Sequence, residues 1–152
     1  MLRDNINNAL KDAMKARDER RVSTLRLMNA AIKNADIENR GSAKEPLNEP
    51  ELLSLFQKMI KQRQESVELY EKGGRAELAK QERDEIEIIA GYLPKQMSDV
   101  EAGTAISVII QEINAQTMKD MGKVMAALRE RFAGSMDFGK ASAKIKELLS
   151  QK

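Results

Sequence analysis

Gly134-Ser135-Met136-Asp137-Phe138-Gly139-Lys140-Ala141 carries the Gly-x4-Gly-Lys spacing of a loop that cradles nucleotide phosphates. Such a loop needs Ser or Thr after the lysine to hold Mg²⁺, and Ala141 stands there. It also needs small residues so that backbone amides can approach phosphate; Met136 and Phe138 are bulky, and Asp137 would repel the anion. The segment reads instead as a helix stopped at Gly134 and a new helix capped by Asp137. A second candidate is Glu82-Arg83-Asp84-Glu85-Ile86-Glu87, which sets Glu82 and Glu85 on one helical face as a divalent-metal site might. No loop of oxygen ligands accompanies it, and Lys80 and Arg83 stand close enough to pair with it, so a solvated face is expected. Lys58, Lys61 and Arg63, with Gln62 and Gln64 between them, are expected on an exposed face opposite Phe56, Met59 and Ile60.

The basic residues near the C-terminus carry more. Residues 118–152 hold eight basic and four acidic side chains, 8 − 4 = +4, whereas 98–117 hold three acids and no base. Residues 1–40 come to 9 − 6 = +3 and 41–97 to 9 − 11 = −2, so the net charge of +2 averages unlike regions. Lys119, Lys123, Arg129, Arg131, Lys140, Lys144 and Lys146 fall on two adjacent predicted helices, with Lys140 and Lys144 at i, i+4. Helix N-termini at Met121-Gly122-Lys123 and Phe138-Gly139-Lys140 would add amide donors for phosphate oxygens. A nucleic-acid contact is expected at Lys123, Lys140 and Lys144, with Arg129 and Arg131 secondary. Aromatic residues make up only 3% of the chain, so backbone and shape would be read, not stacked bases.

The chain of 152 residues has no His, no Cys and no Trp. Without Cys there is no thiol nucleophile, disulfide, zinc finger or iron–sulfur cluster; without His there is no imidazole base or ligand. No catalytic residue, metal or cofactor is assigned, and the inventory leans towards binding. Nothing at the N-terminus resembles a signal peptide, and no apolar run approaches the ~18 residues that span a membrane. A soluble, cytoplasmic protein is expected.

The elements that must position these residues are helices. Leu2, Ile6, Leu10, Ala13 and Met14 form one stripe, and Val22, Leu25, Met28, Ile32 and Ala35 a second, with a bend across Arg17–Arg21. The second helix is expected to end near Asn39-Arg40-Gly41. Asn48, Pro50 and Glu51 open a third helix lined by Leu52, Phe56, Met59, Ile60, Val67 and Tyr70, ending at Gly73-Gly74. A fourth, with Leu78, Ile86, Ile89 and Leu93, stops at Gly91 and Pro94. Ser98 and Glu101 form a capping box for a fifth helix carrying Ile106, Ile109, Ile110 and Ile113. Asp120 would cap a sixth (Val124, Met125, Leu128, Phe132) and Asp137 a seventh (Phe138, Ala141, Ile145, Leu149). The expected organisation is all-α: a bundle at 1–93, a linker at 94–97 and a three-helix subdomain at 98–152.

Several segments in order resemble a known family: Ser23-Thr24-Leu25-Arg26-Leu27-Met28-Asn29-Ala30-Ala31-Ile32-Lys33, Lys61-Gln62-Arg63-Gln64-Glu65-Ser66, Tyr70 with Gly74-Arg75, Tyr92-Leu93-Pro94-Lys95-Gln96-Met97-Ser98, Asp120-Met121-Gly122-Lys123-Val124-Met125, and Gly134…Asp137…Lys140. Together they resemble the GatB/YqeY family of small bacterial proteins over essentially the whole chain. Met136-Asp137-Phe138 departs from it, since the family more often has small residues around the Asp. The family is similar to the C-terminal tail of the B subunit of tRNA-dependent amidotransferase, which amidates Glu-tRNA or Asp-tRNA with nitrogen from glutamine. The resemblance implies an all-helical fold, a larger N-terminal bundle, a C-terminal three-helix unit and a tRNA-contacting role. It also brings the label of a carbon–nitrogen ligase with glutamine as donor. Releasing ammonia from glutamine needs a Cys or a Ser-Ser-Lys arrangement, and this chain has neither. The expectation is a non-catalytic module that binds tRNA or an amidotransferase complex. The alternative is a protein–protein adaptor with a groove between the two helical units.

Overall fold

In the computed structural model, which describes residues 1–151, helices start and stop where side chains can satisfy the free ends of the backbone. The order is α1 (Leu2–Ala16), α2 (Glu19–Gly41), α3 (Glu49–Lys72), α4 (Ala76–Ala90), α5 (Asp99–Ile113), a 3₁₀ turn (Met118–Asp120), α6 (Met121–Phe132) and α7 (Phe138–Ser150). No strand occurs among the described residues, and none of their helices is long and apolar enough to cross a membrane. The isoleucine-rich α5 is helical throughout, held at its start by the Ser98–Glu101 capping box. Asn48 and Glu51 form the same device at α3. The bend between α1 and α2 is shorter than the charged run suggests. Asp18 accepts from the Arg21 backbone N–H and starts α2 at once, while Arg17 closes α1 in the left-handed region at φ 58.

Two compact units divide the chain, Met1–Leu93 and Pro94–Lys152. In the first, α3 and α4 form a long hairpin, and α2 packs against both α1 and α4. Its core is aliphatic with a single Phe: Ile6, Leu25, Met28, Leu52, Phe56 and Ile89. The loop from α2 to α3 is fastened by a forked ion pair. Arg3 Nη1 and Nη2 meet the two oxygens of Asp36 at 2.8 and 2.9 Å, Arg3 also donates to the Leu47 carbonyl, and Leu47 N–H returns to Asp36.

The second unit closes α5, α6 and α7 around Ile106, Ile109, Ile110, Leu128, Ile145 and Met136. Residues 94–97 are fastened to it: Met97 N–H donates to the Ser135 carbonyl at 2.8 Å, and the Gln96 amide donates to the Gly134 carbonyl. Met136, bulky where a phosphate loop would be small, is 1% exposed and fills this core.

Candidate nucleic-acid interface

Successive residues turn about 100° around an α-helix, so the buried positions of α6 fix where its basic residues go. Val124, Met125 and Leu128 face inward. Arg131 then falls on one flank, where its guanidinium meets Glu112 of α5 at 2.9 Å. Arg129 falls on the other flank, 5.9 Å above the Phe138 ring of α7. Lys123 points away from the core, and all three side chains are exposed. Three basic residues of one helix therefore look in three directions.

On α7 the inward positions are Ala141, Ile145 and Leu149. Lys140 and Lys144 stay together, as their spacing predicts, and both lie on the flank towards α5. Lys140 Nζ stands 3.8 Å from Asp99, and the two lysines line a hollow that Asp99 and Asp137 also line. Their neighbourhood is charge-balanced. Lys146 sits two residues past Lys144, about 200° further round, and so shares the α6 flank with Arg129. The same rotations bring Gly122 and Ala126 of α6, and Gly139 and Ser142 of α7, to this outer seam. Glu130 and Glu147 each lie one residue, about 100°, beyond it. A side-chain carbon built at Gly122 meets nothing within 4 Å, whereas one built at Gly139 stands 3.2 Å from Asp137 Oδ1, so the seam is open on its α6 side. Lys123, Arg129 and Lys146 enter no ion pair among the described residues.

The five expected residues thus do not form one face. Arg129 borders the α6–α7 seam, Lys123 lies on the outer face of α6, Lys140 and Lys144 line the α5–α7 hollow, and Arg131 pairs with Glu112. Lys146 is absent from the five expected residues, although its offset from the apolar stripe of α7 is readable in the sequence.

The helix N-termini do not offer the donors expected of them. Asp137 Oδ1 takes the Gly139 and Lys140 amides at 3.0 and 3.1 Å. Asp120 does not cap α6, contrary to expectation. Its Oδ2 turns back to the Gln116 and Thr117 amides at 2.8 and 3.2 Å, and these bonds lower its pKa below the ordinary aspartate value. The 3₁₀ turn runs directly into α6, so the preceding backbone does the capping.

The acidic run of α4 and the polar cluster of α3 meet each other. Arg63 is not on an exposed face. Its Nε lies 2.9 Å from Glu85 Oε2, with side chains only 15% and 8% exposed, and Nη1 donates to the Met59 carbonyl. Burial and the neighbouring Glu85 charge raise the pKa of Glu82 above the ordinary glutamate value. Lys80 pairs with Asp84 at 3.2 Å, and Arg83 pairs with Glu71 of α3. The signal for Arg63 was its spacing, because position 63 continues the 56–59–60 stripe. The expectation gave more weight to its charge.

The family described as Yqey-like protein matches residues 3–149. Among similar proteins is Altered inheritance of mitochondria protein 41, mitochondrial, of Lachancea thermotolerans. It is 36% identical over 111 residues, covering 72% of this chain and 58% of that protein. The protein of the same name from Eremothecium gossypii is 36% identical over 84 residues, 55% of this chain and 44% of its own length. The Saccharomyces cerevisiae protein of that name is 34% identical over 84 residues, with the same coverage. The chain spans about half the length of these relatives. Their names place them in mitochondria and their sources are yeasts, which overturns the expectation of a bacterial, cytoplasmic protein. The bacterial expectation came from the family resemblance and the cytoplasmic one from hydropathy along the chain, neither of which distinguishes one cellular compartment from another.

Proposed function

The chain belongs to the Yqey-like family, and from that premise we propose that it is a non-catalytic accessory module holding a folded RNA of the tRNA class, free or within an amidotransferase complex, by its phosphate backbone. The observation that carries this reading is the α6–α7 seam, where Arg129 and Lys146 border small residues and enter no ion pair among the described residues, with Lys123 on the adjoining outer face of α6. Phosphate contacts from Lys and Arg supply affinity without sequence reading, and small residues let the sugar–phosphate chain approach the helices. With aromatics at 3% of the chain, recognition falls to shape, as it does for folded RNA. The family's similarity to a tRNA-contacting tail supports the same class of ligand. The accessory role is supported by a chain with neither Cys nor His, which leaves it without the usual means of freeing ammonia from glutamine.

The test is fluorescence-anisotropy binding of mixed tRNA, with the mitochondrial pool as one sample, between about 50 and 200 mM salt. Three phosphate contacts predict a log–log salt slope of roughly −2 to −3. The triple variant Lys123→Glu/Arg129→Glu/Lys146→Glu is expected to lose the binding. Retention of full affinity in that variant would refute the assignment.

A further inference from the structure

On the flank of α7 away from Lys146, α5 and α7 leave a cleft of about 350 Å³ floored by Met97, Ile106 and Ala141. A shallower hollow along α5, past Ser107, Val108 and Leu148, shares Asp99, Gly103 and Lys144 with it. The two make one groove following α5 from Asp99 to Gln111, about 18 Å at 1.5 Å per residue.

Three features of this groove are not required by the packing of the chain itself or are in place before any partner arrives. From Ala102 to Gln111 the helix carries no charged residue, yet Val100 is 79% and Val108 45% exposed. Gly103 stands in the middle of α5 with a helical backbone, where glycine costs up to about 1 kcal/mol relative to alanine. A Cβ built on it meets no atom within 4 Å, so the fold does not require glycine there. An open glycine on a groove wall lets a second backbone come close to the helix. Finally, the mouth is fixed in advance by the Met97–Ser135 and Gln96–Gly134 hydrogen bonds.

We propose that the α5–α7 groove receives an amphipathic helix of a partner protein, apolar side down, with an acidic residue towards Lys144. A helix suits a groove of this length with an apolar floor and small residues one turn apart at Gly103 and Ser107. Charge sets the flank: Lys140 is matched by Asp99 at 3.8 Å, whereas Lys144 has no ion-pair partner among the described residues. A polyanion is disfavoured by the uncharged α5 wall and by Asp99 and Asp137, which separates this surface from the seam proposed for RNA.

The test uses a displayed library of 18-residue helical peptides panned against the full chain, with the selected peptides mapped by amide chemical shifts. Enriched peptides are expected to repeat apolar residues at i, i+3 or i+4 and i+7 with Asp or Glu on one flank, and to shift residues 99–111 and 140–148. Gly103→Leu, whose Cβ meets no atom within 4 Å and whose longer side chain would occupy the groove, should weaken them about tenfold or more, a change in Kd worth 1.4 kcal/mol per decade. Its helical signal should hold and its melting temperature should hold or rise, since the helical glycine is removed. Gly103→Ala serves as the milder control, and Lys144→Glu should reverse the preference for acidic flanks. Failure to enrich any peptide, or peptides indifferent to Gly103→Leu, would overturn the proposal. So would self-association of the chain that Gly103→Leu abolishes, because a second copy would then be the occupant.

Discussion

The two units use charge in opposite ways. In Met1–Leu93 charged groups are built into the structure: Arg63 and Glu85 are buried against each other, and Arg3 and Asp36 fasten a loop. In Pro94–Lys152 the core is wholly apolar, its ion pairs lie on the surface, and the unpaired basic side chains lie at the α6–α7 seam, on the outer face of α6 and in the α5–α7 groove. The same residue types therefore read differently by unit. A lysine or arginine of the second unit is a candidate for contact with a partner, whereas Arg63 is part of what holds α3 to α4.

Substitutions should separate the two uses of charge by size of effect. Arg63→Met leaves the buried Glu85 without its cationic partner and is expected to cost about 3–5 kcal/mol in urea unfolding. The double variant Arg63→Met/Glu85→Leu should recover most of that loss, because a buried pair can be exchanged for apolar packing at little cost. Equal losses in the two variants would mean that packing, not the uncompensated charge, sets the penalty. A smaller change of opposite sign is expected at Thr24, fully buried with a hydroxyl that has no hydrogen-bond partner. Thr24→Val removes the orphaned hydroxyl and should raise stability by about 1 kcal/mol. Charge reversals at Lys123, Arg129 and Lys146 touch no internal pair and should each move stability by no more than about 0.5 kcal/mol. A large destabilisation there would break the contrast between the units.

The pH dependence of unfolding should also carry the mark of the first unit. Asp36 is held below its ordinary pKa by the Arg3 hydrogen bond, so its contribution is present above the unfolded aspartate value. That contribution is lost as pH falls through the folded value. Glu82 is raised by burial and by Glu85, so its folded form holds a proton longer than the unfolded chain does. Stability then declines as pH rises from the unfolded glutamate value through the folded one. Glu82→Gln should remove the decline and leave the acid limb unchanged, as thermal melts across the carboxylate range would show.

Much of the fold was legible because helices announce themselves by apolar spacing and by caps. Asn48, Ser98 and Asp137 cap where their sequence context puts them. Asp120 misled because a 3₁₀ turn, invisible to a search for helical period, precedes α6 and diverts its carboxylate to Gln116 and Thr117. The site was only partly legible. The i, i+4 rule joined Lys140 to Lys144 within one helix, but no local rule says which flank of α7 faces α5 and brings Asp99 to their side. The separation of Arg129 from Arg131 depends likewise on which neighbour covers each flank of α6. Arg63 shows the same limit, since its burial is specified by Glu85, 22 residues away.

The second unit is proposed to have two independent surfaces, a basic one for RNA around the α6–α7 seam and a groove that RNA does not use. The most direct measurement is tRNA affinity in low salt for two charge-reversed variants of the full chain. Lys123→Glu/Arg129→Glu/Lys146→Glu is predicted to abolish binding, while Lys140→Glu/Lys144→Glu keeps most of it. Equal losses in both, or a larger loss in the second, would contradict the account and return the contact to the Lys140–Lys144 face.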